Sequence, residues 1–194
     1  MCRAKTGLVE LSVFLLIPPL LTCSVMAARK SVKYPESKST YTSSDGKFEL
    51  FNVNHDDQDP AHTLFLRDRN KGLEIKLMSY DRWVEALWSP SGARLIVNDH
   101  GGSDFSNCLI FEPARNLIPI DVRSELEENM PSDQDVLKNH HTYIQCSDWR
   151  SADKVRVKIS GYGEIDPPGF TILLDYELSG EFRLVKKERR SRGS

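Results

Sequence analysis

Residues 84–111 read VEALWSPSGARLIVNDHGGSDFSNCLIF, three short apolar runs separated by two turn-forming clusters. The first cluster, Ser89-Pro90-Ser91-Gly92, is a tight-turn tetrapeptide, because Pro fixes φ and Gly accepts a positive φ. The flanking runs are rich in residues that suit a half-buried, pleated strand. The stretch therefore predicts an antiparallel meander.

The segments on both sides repeat this order of strand, loop, strand, turn and strand. Upstream, Ser43-Ser44-Asp45-Gly46 repeats the turn chemistry, and Gly46 precedes Gly92 by 46 positions. Downstream, Trp149 stands where Trp88 stood, and the following segment 155–159 alternates between apolar and cationic residues. Periods of about 40 to 50 residues with four strands each are typical of propeller blades. We therefore expect Trp88 to be buried between adjacent sheets and Gly92 to lie in a tight turn.

One segment interrupts the repeats. Residues 123–138 are acidic and compatible with a helix, with Ser124 placed to cap it and Pro131 placed to end it. The predicted fold is all-β, with about three blade-like antiparallel sheets and a short inserted helix.

Two short motifs resemble a known family. Residues 88–95 resemble the start of a blade in secreted TolB-like and WD40-like β-propellers, and residues 66–72 resemble the Asp-to-Gly hairpin that joins a blade's last two strands. The resemblance covers roughly residues 43–187 and implies a binding or scaffolding platform. A closed propeller typically needs four or more blades, so about three blades imply an open array or a ring completed by two chains.

Composition indicates an ordinary globular domain. The chain has 194 residues, of which 39% are hydrophobic and 28% charged, enough for a sizeable core. The formal net charge of −2 supplies no field that would attract nucleic acid. We expect no nucleic-acid partner and no cofactor.

The N-terminus has the features of a secretory signal peptide. Arg3 and Lys5 precede an apolar run over residues 11–21, and small residues follow near Ala27. Residues 1–27 are the predicted signal peptide, which gives a secreted or periplasmic protein with no membrane span after cleavage; an uncleaved anchor and a lipidated Cys23 are the alternatives. We expect a flexible linker or arm at 28–42, the repeat domain at 43–187 and a basic tail at 188–194.

Cleavage would leave Cys108 and Cys146 as the two remaining cysteines. In an oxidising compartment they would either form one disulfide or remain buried as free thiols, and the sequence does not choose between these outcomes.

One loop gathers residues of the types that bind metals. His55, Asp57, Asp59 and His62 are candidate ligands for a metal ion, although their spacing matches no established motif. The alternative is a solvated hairpin loop.

The His100–Ser106 loop begins with His-Gly-Gly, which resembles an oxyanion-hole segment of some lipases and esterases. Ser103 or Ser106 would be the nucleophile, but the Gly-x-Ser-x-Gly elbow of those enzymes is absent from the sequence. A flexible glycine-rich loop is the alternative.

Further side chains could serve a site or a surface. His140 and His141 could act as a base oriented by Asp148, or could simply be surface histidines. The loop at 161–169 could present Tyr162 and Phe170 to a partner, although a structural turn is the simpler interpretation. Trp83 is either a core residue or part of a binding surface.

The absence of a catalytic constellation favours an exported, non-enzymatic binding or scaffold protein with a protein or glycan partner, and a homodimer is possible. The alternative is a secreted hydrolase or metal-dependent enzyme that uses the His55–His62 or His100–Ser106 loop.

Overall fold

The computed structural model describes residues 30–55, 60–129, 134–139, 141–164 and 167–189. Within these ranges the chain forms thirteen strands and two short helices. A short strand, β1 (Val32–Tyr34), precedes three units of four consecutive strands.

Unit 1 contains β2 (Tyr41–Thr42), β3 (Phe48–Asn54), β4 (His62–Asp68) and β5 (Leu73–Tyr80). Unit 2 contains β6 (Val84–Trp88), β7 (Leu95–Asp99), β8 (Phe105–Glu112) and β9 (Asn116–Asp121). The helices α1 (Val122–Asn129) and α2 (Gln134–Leu137) follow. Unit 3 contains β10 (His141–Trp149), β11 (Lys154–Tyr162), β12 (Phe170–Glu177) and β13 (Glu181–Arg189).

Two sheets contain these strands. Unit 1 is a four-stranded sheet in the order β2-β3-β4-β5, and the rest form a nine-stranded sheet in the order β1-β6-β7-β8-β10-β11-β12-β13, with β9 also paired to β8. Every pairing is antiparallel except the short β8–β10 contact, where Phe105 pairs with Thr142. The all-β class is therefore confirmed. Units 2 and 3 share one mixed sheet, however, instead of forming separate antiparallel sheets, and the described strands do not form a closed ring.

Unit 2 is the central layer, with both faces covered. One face of β6 and β7 presents Trp88 and Val97 to a core shared with unit 1. The opposite face presents Leu87 and Ile96 to a second core shared with unit 3 and α1. A strand covered on both sides needs apolar residues at successive positions, which explains why residues 84–111 are the most apolar of the repeats. The prediction that Trp88 is buried between sheets is confirmed.

The turns that open units 1 and 2 have the same hydrogen bonds. Gly92 N–H donates to Ser89 O at 3.0 Å, and Gly46 N–H donates to Ser43 O at 3.0 Å. Both glycines have positive φ, +73° at Gly46 and +78° at Gly92, as the turn chemistry predicted. The corresponding turn in unit 3 has no glycine. It is also shorter: Arg150 N–H donates to Lys154 O, four residues later, whereas Ser89 N–H donates to Arg94 O, five residues later.

The region expected to be a flexible linker or arm, residues 28–42, contains two strands. β1 pairs with β6, and Tyr34 is fully buried in the core between units 1 and 2. Its phenol donates to Leu50 O at 3.1 Å, which satisfies the polar end of the buried ring. The predicted tail also differs, since Glu188 and Arg189 belong to β13; residues 190–194 lie outside the described ranges.

The inserted helix has a different cap from the one predicted. Asp121 Oδ1 accepts hydrogen bonds from the backbone N–H groups of Arg123 at 2.9 Å and Ser124 at 3.2 Å. Asp121 is therefore the N-cap and Ser124 is the third residue of α1. Pro131 lies outside the described residues.

Cys108 and Cys146 form a disulfide, which resolves the choice that the sequence left open. Their Cα atoms are 5.8 Å apart, and both residues are buried in the core between units 2 and 3. The bond joins β8 to β10 across 38 positions of sequence, beside the short parallel contact that links the two units.

Candidate functional site

The three units bring equivalent connections together at two ends of the molecule. Their tight turns meet at one end, where Ser44 Oγ donates to Ser89 O at 3.0 Å and Arg94 contacts Asp153. The β7–β8 and β11–β12 connections lie at the other end, where Asp104 approaches His141 and the His141 ring stacks on Tyr162. We call these the turn end and the loop end.

Contacts at the turn end are those of a structural junction. Arg94 Nε donates to Glu112 Oε1 at 2.6 Å, and its Nη1 donates to Ala152 O at 2.6 Å and to Asp153. A single guanidinium thus joins units 2 and 3. Its Nε and Nη1 donors are all engaged by protein acceptors, so these groups hold the junction together.

At the loop end, His100 is packed inside the protein. Its ring stacks on Trp83, with centroids 3.4 Å apart, and Lys33 Nζ lies 4.7 Å from the Trp83 ring centroid. His100 is 8% exposed, and its Nε2 has no hydrogen-bond partner among the described residues. Burial lowers the pKa of His100 to about 4, which keeps the imidazole neutral near pH 7. Trp83 belongs to neither core cluster and instead supports His100.

Asp99 precedes His100 at the end of β7. Burial, and secondarily the charge of Asp81, raises the pKa of Asp99. Its Oδ1 is buried without a hydrogen-bond partner in the described part of the chain. A Cβ added to Gly101 would lie 3.5 Å from both Asp99 Oδ1 and the ring of Phe105, so the carboxylate sits beneath the glycine loop.

The predicted serine nucleophiles are hydrogen-bonded elsewhere. Ser103 Oγ donates to Asp104 Oδ1 at 2.8 Å, and Ser106 Oγ is fully buried and donates to Ile144 O at 3.1 Å. Neither hydroxyl contacts His100 among the described hydrogen bonds, so this loop does not assemble a serine–histidine pair. Ser106 instead joins β8 to β10.

Of the four predicted metal ligands, the structure describes His55 and His62, which have separate hydrogen-bond partners. His55 Nε2 lies 3.0 Å from Thr63 Oγ1, whereas His62 Nδ1 lies 2.9 Å from Asn54 Oδ1 and its ring packs against Tyr80. Asp57 and Asp59 lie outside the described residues. Across the described ranges, no three His, Cys, Asp or Glu side chains form a group that could hold a metal ion.

His141 and Asp148 are separated along β10. They lie seven positions apart on one strand, a distance of roughly 23 Å at the usual rise per residue. Asp148 pairs with Arg150 at 3.0 Å, so it does not orient His141. His140 lies outside the described residues.

His141 belongs to a different cluster at the loop end of unit 3. Its ring stacks on Tyr162, with centroids 4.2 Å apart, and its Nδ1 lies 3.5 Å from Asp104 Oδ1. The Tyr143 phenol donates to Ser103 O at 2.7 Å and also contacts the Tyr162 side chain. These contacts fix the position of Tyr162.

A groove of about 800 Å³ lies beside this cluster. Its lining includes His141, Tyr162, Lys138, Glu164 and Pro167. Gly161 makes the close approach of the two strands possible, because a Cβ there would lie 2.1 Å from the carbonyl oxygen of His141. The glycine before Tyr162 is therefore required for β10 and β11 to pair at this position.

Two large aromatic side chains are exposed at the loop end. Phe105 and Tyr162 are each 46% exposed, whereas Phe170 is 1% exposed and belongs to the core between units 2 and 3. Of the two side chains that the 161–169 loop could present, Tyr162 is therefore exposed and Phe170 is buried. Phe105 was not predicted from the sequence as a site residue. The Gly101-Gly102 pair is the feature of the sequence that relates to Phe105. A Cβ on Gly102 would lie only 3.0 Å from the Phe105 ring, so a glycine leaves room for that ring.

No helix in the described part of the chain is long and apolar enough to cross a membrane. No protein-family model matches the sequence, and comparisons with curated proteins and with solved structures give no significant match.

Proposed function

We propose that this chain is an exported, non-enzymatic binding protein whose loop end contacts the partner. The observation that carries the proposal is the pair of exposed aromatic rings, Phe105 and Tyr162. The Phe105 ring lies close to Gly102, and the Tyr162 ring is stacked on His141. Aromatic side chains contribute contact area at a low cost in conformational entropy.

Export is supported by the buried disulfide, because such bonds persist mainly in oxidising compartments. The N-terminal segment that predicts a signal peptide lies outside the described residues. We assign the chain to the periplasm or the cell exterior on these grounds.

We further propose that the three units are related to propeller blades and form an open array. Each contains four consecutive strands that pair antiparallel with their neighbours in the unit. The sharing of one sheet by units 2 and 3 is a departure from separate blades.

The hydrogen bonds of Ser103 and Ser106 do not favour the alternative of a secreted hydrolase, and the separate partners of His55 and His62 do not favour a metal-dependent enzyme. The binding function therefore has the better support.

Site-specific photo-crosslinking tests the proposal. A benzophenone amino acid replaces Phe105 in one variant and Leu73, exposed beside the β4–β5 turn at the opposite end, in the matched control. In the source cells, we expect light-dependent adducts from position 105 and none from position 73. Equal labelling at both positions, or none at position 105, would contradict a binding surface at the loop end.

A further inference from the structure

The lining of the groove beside Tyr162 favours one class of ligand over others. The inference drawn from it rests on the proposed binding function. Tyr162 contributes an aromatic ring with His141 stacked on one face at an interplanar angle of 23°. Tyr162 lines the groove together with Pro167. An aromatic ring supported on one face suits a ligand that has a flat apolar face of its own.

The charges at the groove indicate a ligand without net charge. Lys138 and Glu164 contribute one positive and one negative group to the lining. The Lys138 ammonium is already paired with Asp135 at 3.2 Å, and the ring of His141 lies near the carboxylate of Asp104. Neither sign dominates, so a strongly anionic or cationic ligand would gain little from the local field. The lining nevertheless offers both a donor and an acceptor to ligand hydroxyls.

The distribution of apolar surface argues against a protein partner in this groove. Stable protein interfaces bury roughly 1,200 Å² or more, with a contiguous apolar centre. Here Tyr162 and Pro167 share the lining with Lys138, Glu164 and His141, so apolar and polar groups are interspersed. The volume of about 800 Å³ falls in the range of sites for small molecules, roughly 300–1,000 Å³.

We infer that this groove binds a neutral carbohydrate, with the C–H face of one pyranose ring stacked on Tyr162 and the sugar hydroxyls hydrogen-bonded to Lys138 and Glu164. A pyranose has both required properties, because its ring carbons form an apolar face and its equatorial hydroxyls donate and accept hydrogen bonds around the edge. The inference assigns the glycan class to the partner at this position.

Affinity electrophoresis of the disulfide-bonded protein tests the inference directly. The probes are soluble neutral polysaccharides, namely a β-glucan, an α-glucan, a mannan and a xylan, with the anionic polymer alginate as a comparison. We expect retardation by at least one neutral polymer and none by alginate. Retardation by alginate alone, or by none of the five polymers, would overturn the inference.

Three variants locate the binding on the groove. Tyr162→Ala should weaken binding about tenfold or more, as the loss of a central aromatic contact does. Tyr162→Phe keeps the ring and should retain most of the affinity, which separates stacking from a general effect on folding. Leu184→Ala changes an exposed side chain on β13 and should bind like the unmodified protein. Equal binding by Tyr162→Ala and the unmodified protein would contradict the site.

The two proposals fail in different ways. If no polysaccharide binds but the crosslinker at position 105 still gives adducts that the control position lacks, the carbohydrate inference is wrong and the binding function stands. If neither experiment gives a signal, both are wrong.

Discussion

Gly92 lies where the opening turns of units 1 and 2 touch. A Cβ added there would lie 2.7 Å from the backbone nitrogen of Asp45 and 2.9 Å from its carboxylate. Asp45 is itself fixed, because its Oδ1 accepts hydrogen bonds from Ser43 Oγ and from the Lys47 backbone. The contact leaves no room for a side chain at position 92.

Gly92→Ala should therefore lower the free energy of unfolding by more than the strain of a positive φ alone would. Gly72 is the matched control, since its φ is +66° and an added Cβ would meet nothing within 4 Å. We expect Gly72→Ala to lower the free energy of unfolding by about 1 kcal/mol, the usual cost of a left-handed non-glycine residue. Gly92→Ala should lower it by about 1–3 kcal/mol more, because backbone must move. Urea unfolding measures both, and equal losses would contradict close packing between the turns.

His100 makes stability depend on pH. Its pKa is about 4 in the folded protein, below the ordinary value of 6.5, because burial disfavours the charged imidazole. Between these values the unfolded chain binds more protons, so stability is lost as the pH falls from about 6.5 towards 4. The integrated effect is about 2–3 kcal/mol at the usual cost per pKa unit.

His100→Gln should remove this part of the pH dependence. Urea unfolding at several pH values between 4 and 7 gives the slope for each protein, and the variant should be flatter across this window. Asp99 has the opposite pH dependence. Because its pKa is raised in the folded protein, its ionisation lowers the free energy of unfolding as the pH rises. Asp99→Asn should therefore gain stability over the unmodified protein, most of all at neutral pH. Identical slopes for the unmodified protein and His100→Gln would contradict the buried, neutral imidazole.

At the scale of strands, local patterns predicted most of the three units. Alternating residues and turn chemistry are signals contained within a few positions, so segments such as 155–159 were identified correctly. β1 was missed because it has three residues in a polar stretch and its partner, β6, lies about fifty residues later. Only the single buried Tyr34 distinguishes it from a linker.

The loop-end site was less predictable, because it depends on register. Phe170 is buried because it pairs with Gly161, which leaves space for its ring, whereas Tyr162 pairs with His141 at the sheet end and remains exposed. Pairings between strands that are distant in sequence decide these outcomes. No local pattern separates Phe170 from Phe105.

The disulfide strengthens a weak junction between β8 and β10. These strands pair through only two residues each, Phe105 with Thr142 and Ser106 with Tyr143. On the chain-entropy model, closing the 38-residue separation between Cys108 and Cys146 contributes roughly 3 to 4 kcal/mol. The double variant Cys108→Ala/Cys146→Ala should lose about that much in the free energy of unfolding.

Reductant provides the control for this prediction. It should lower the stability of the unmodified protein towards that of the double variant and leave the double variant unchanged. If the unmodified protein keeps its stability after thiol titration shows that both cysteines are reduced, the bond does not stabilise the junction.

At the scale of the whole molecule, unit 2 is covered on both sides, while units 1 and 3 each leave one face outward. The outer face of unit 1 carries Arg67, paired with Glu74 at 2.7 Å and with Glu49 at 3.2 Å. The outer face of unit 3 carries Arg156, paired with Asp175 at 2.6 Å. Burying such pairs against another sheet would cost several kcal/mol of desolvation per ion, so these faces suit water better than a neighbouring blade.

We therefore expect an open, monomeric array and not a ring completed by two chains. Light scattering after size-exclusion chromatography, at concentrations from about 1 to 100 μM, should give the mass of one chain throughout. The double variant Arg67→Leu/Arg156→Leu is the informative comparison, because it removes one charged partner from each outer face. Any change that this variant causes should be an increase in self-association. A stable dimer of the unmodified protein that the double substitution disrupts would mean that the outer faces join chains through these charges, and the ring would then be the correct assembly.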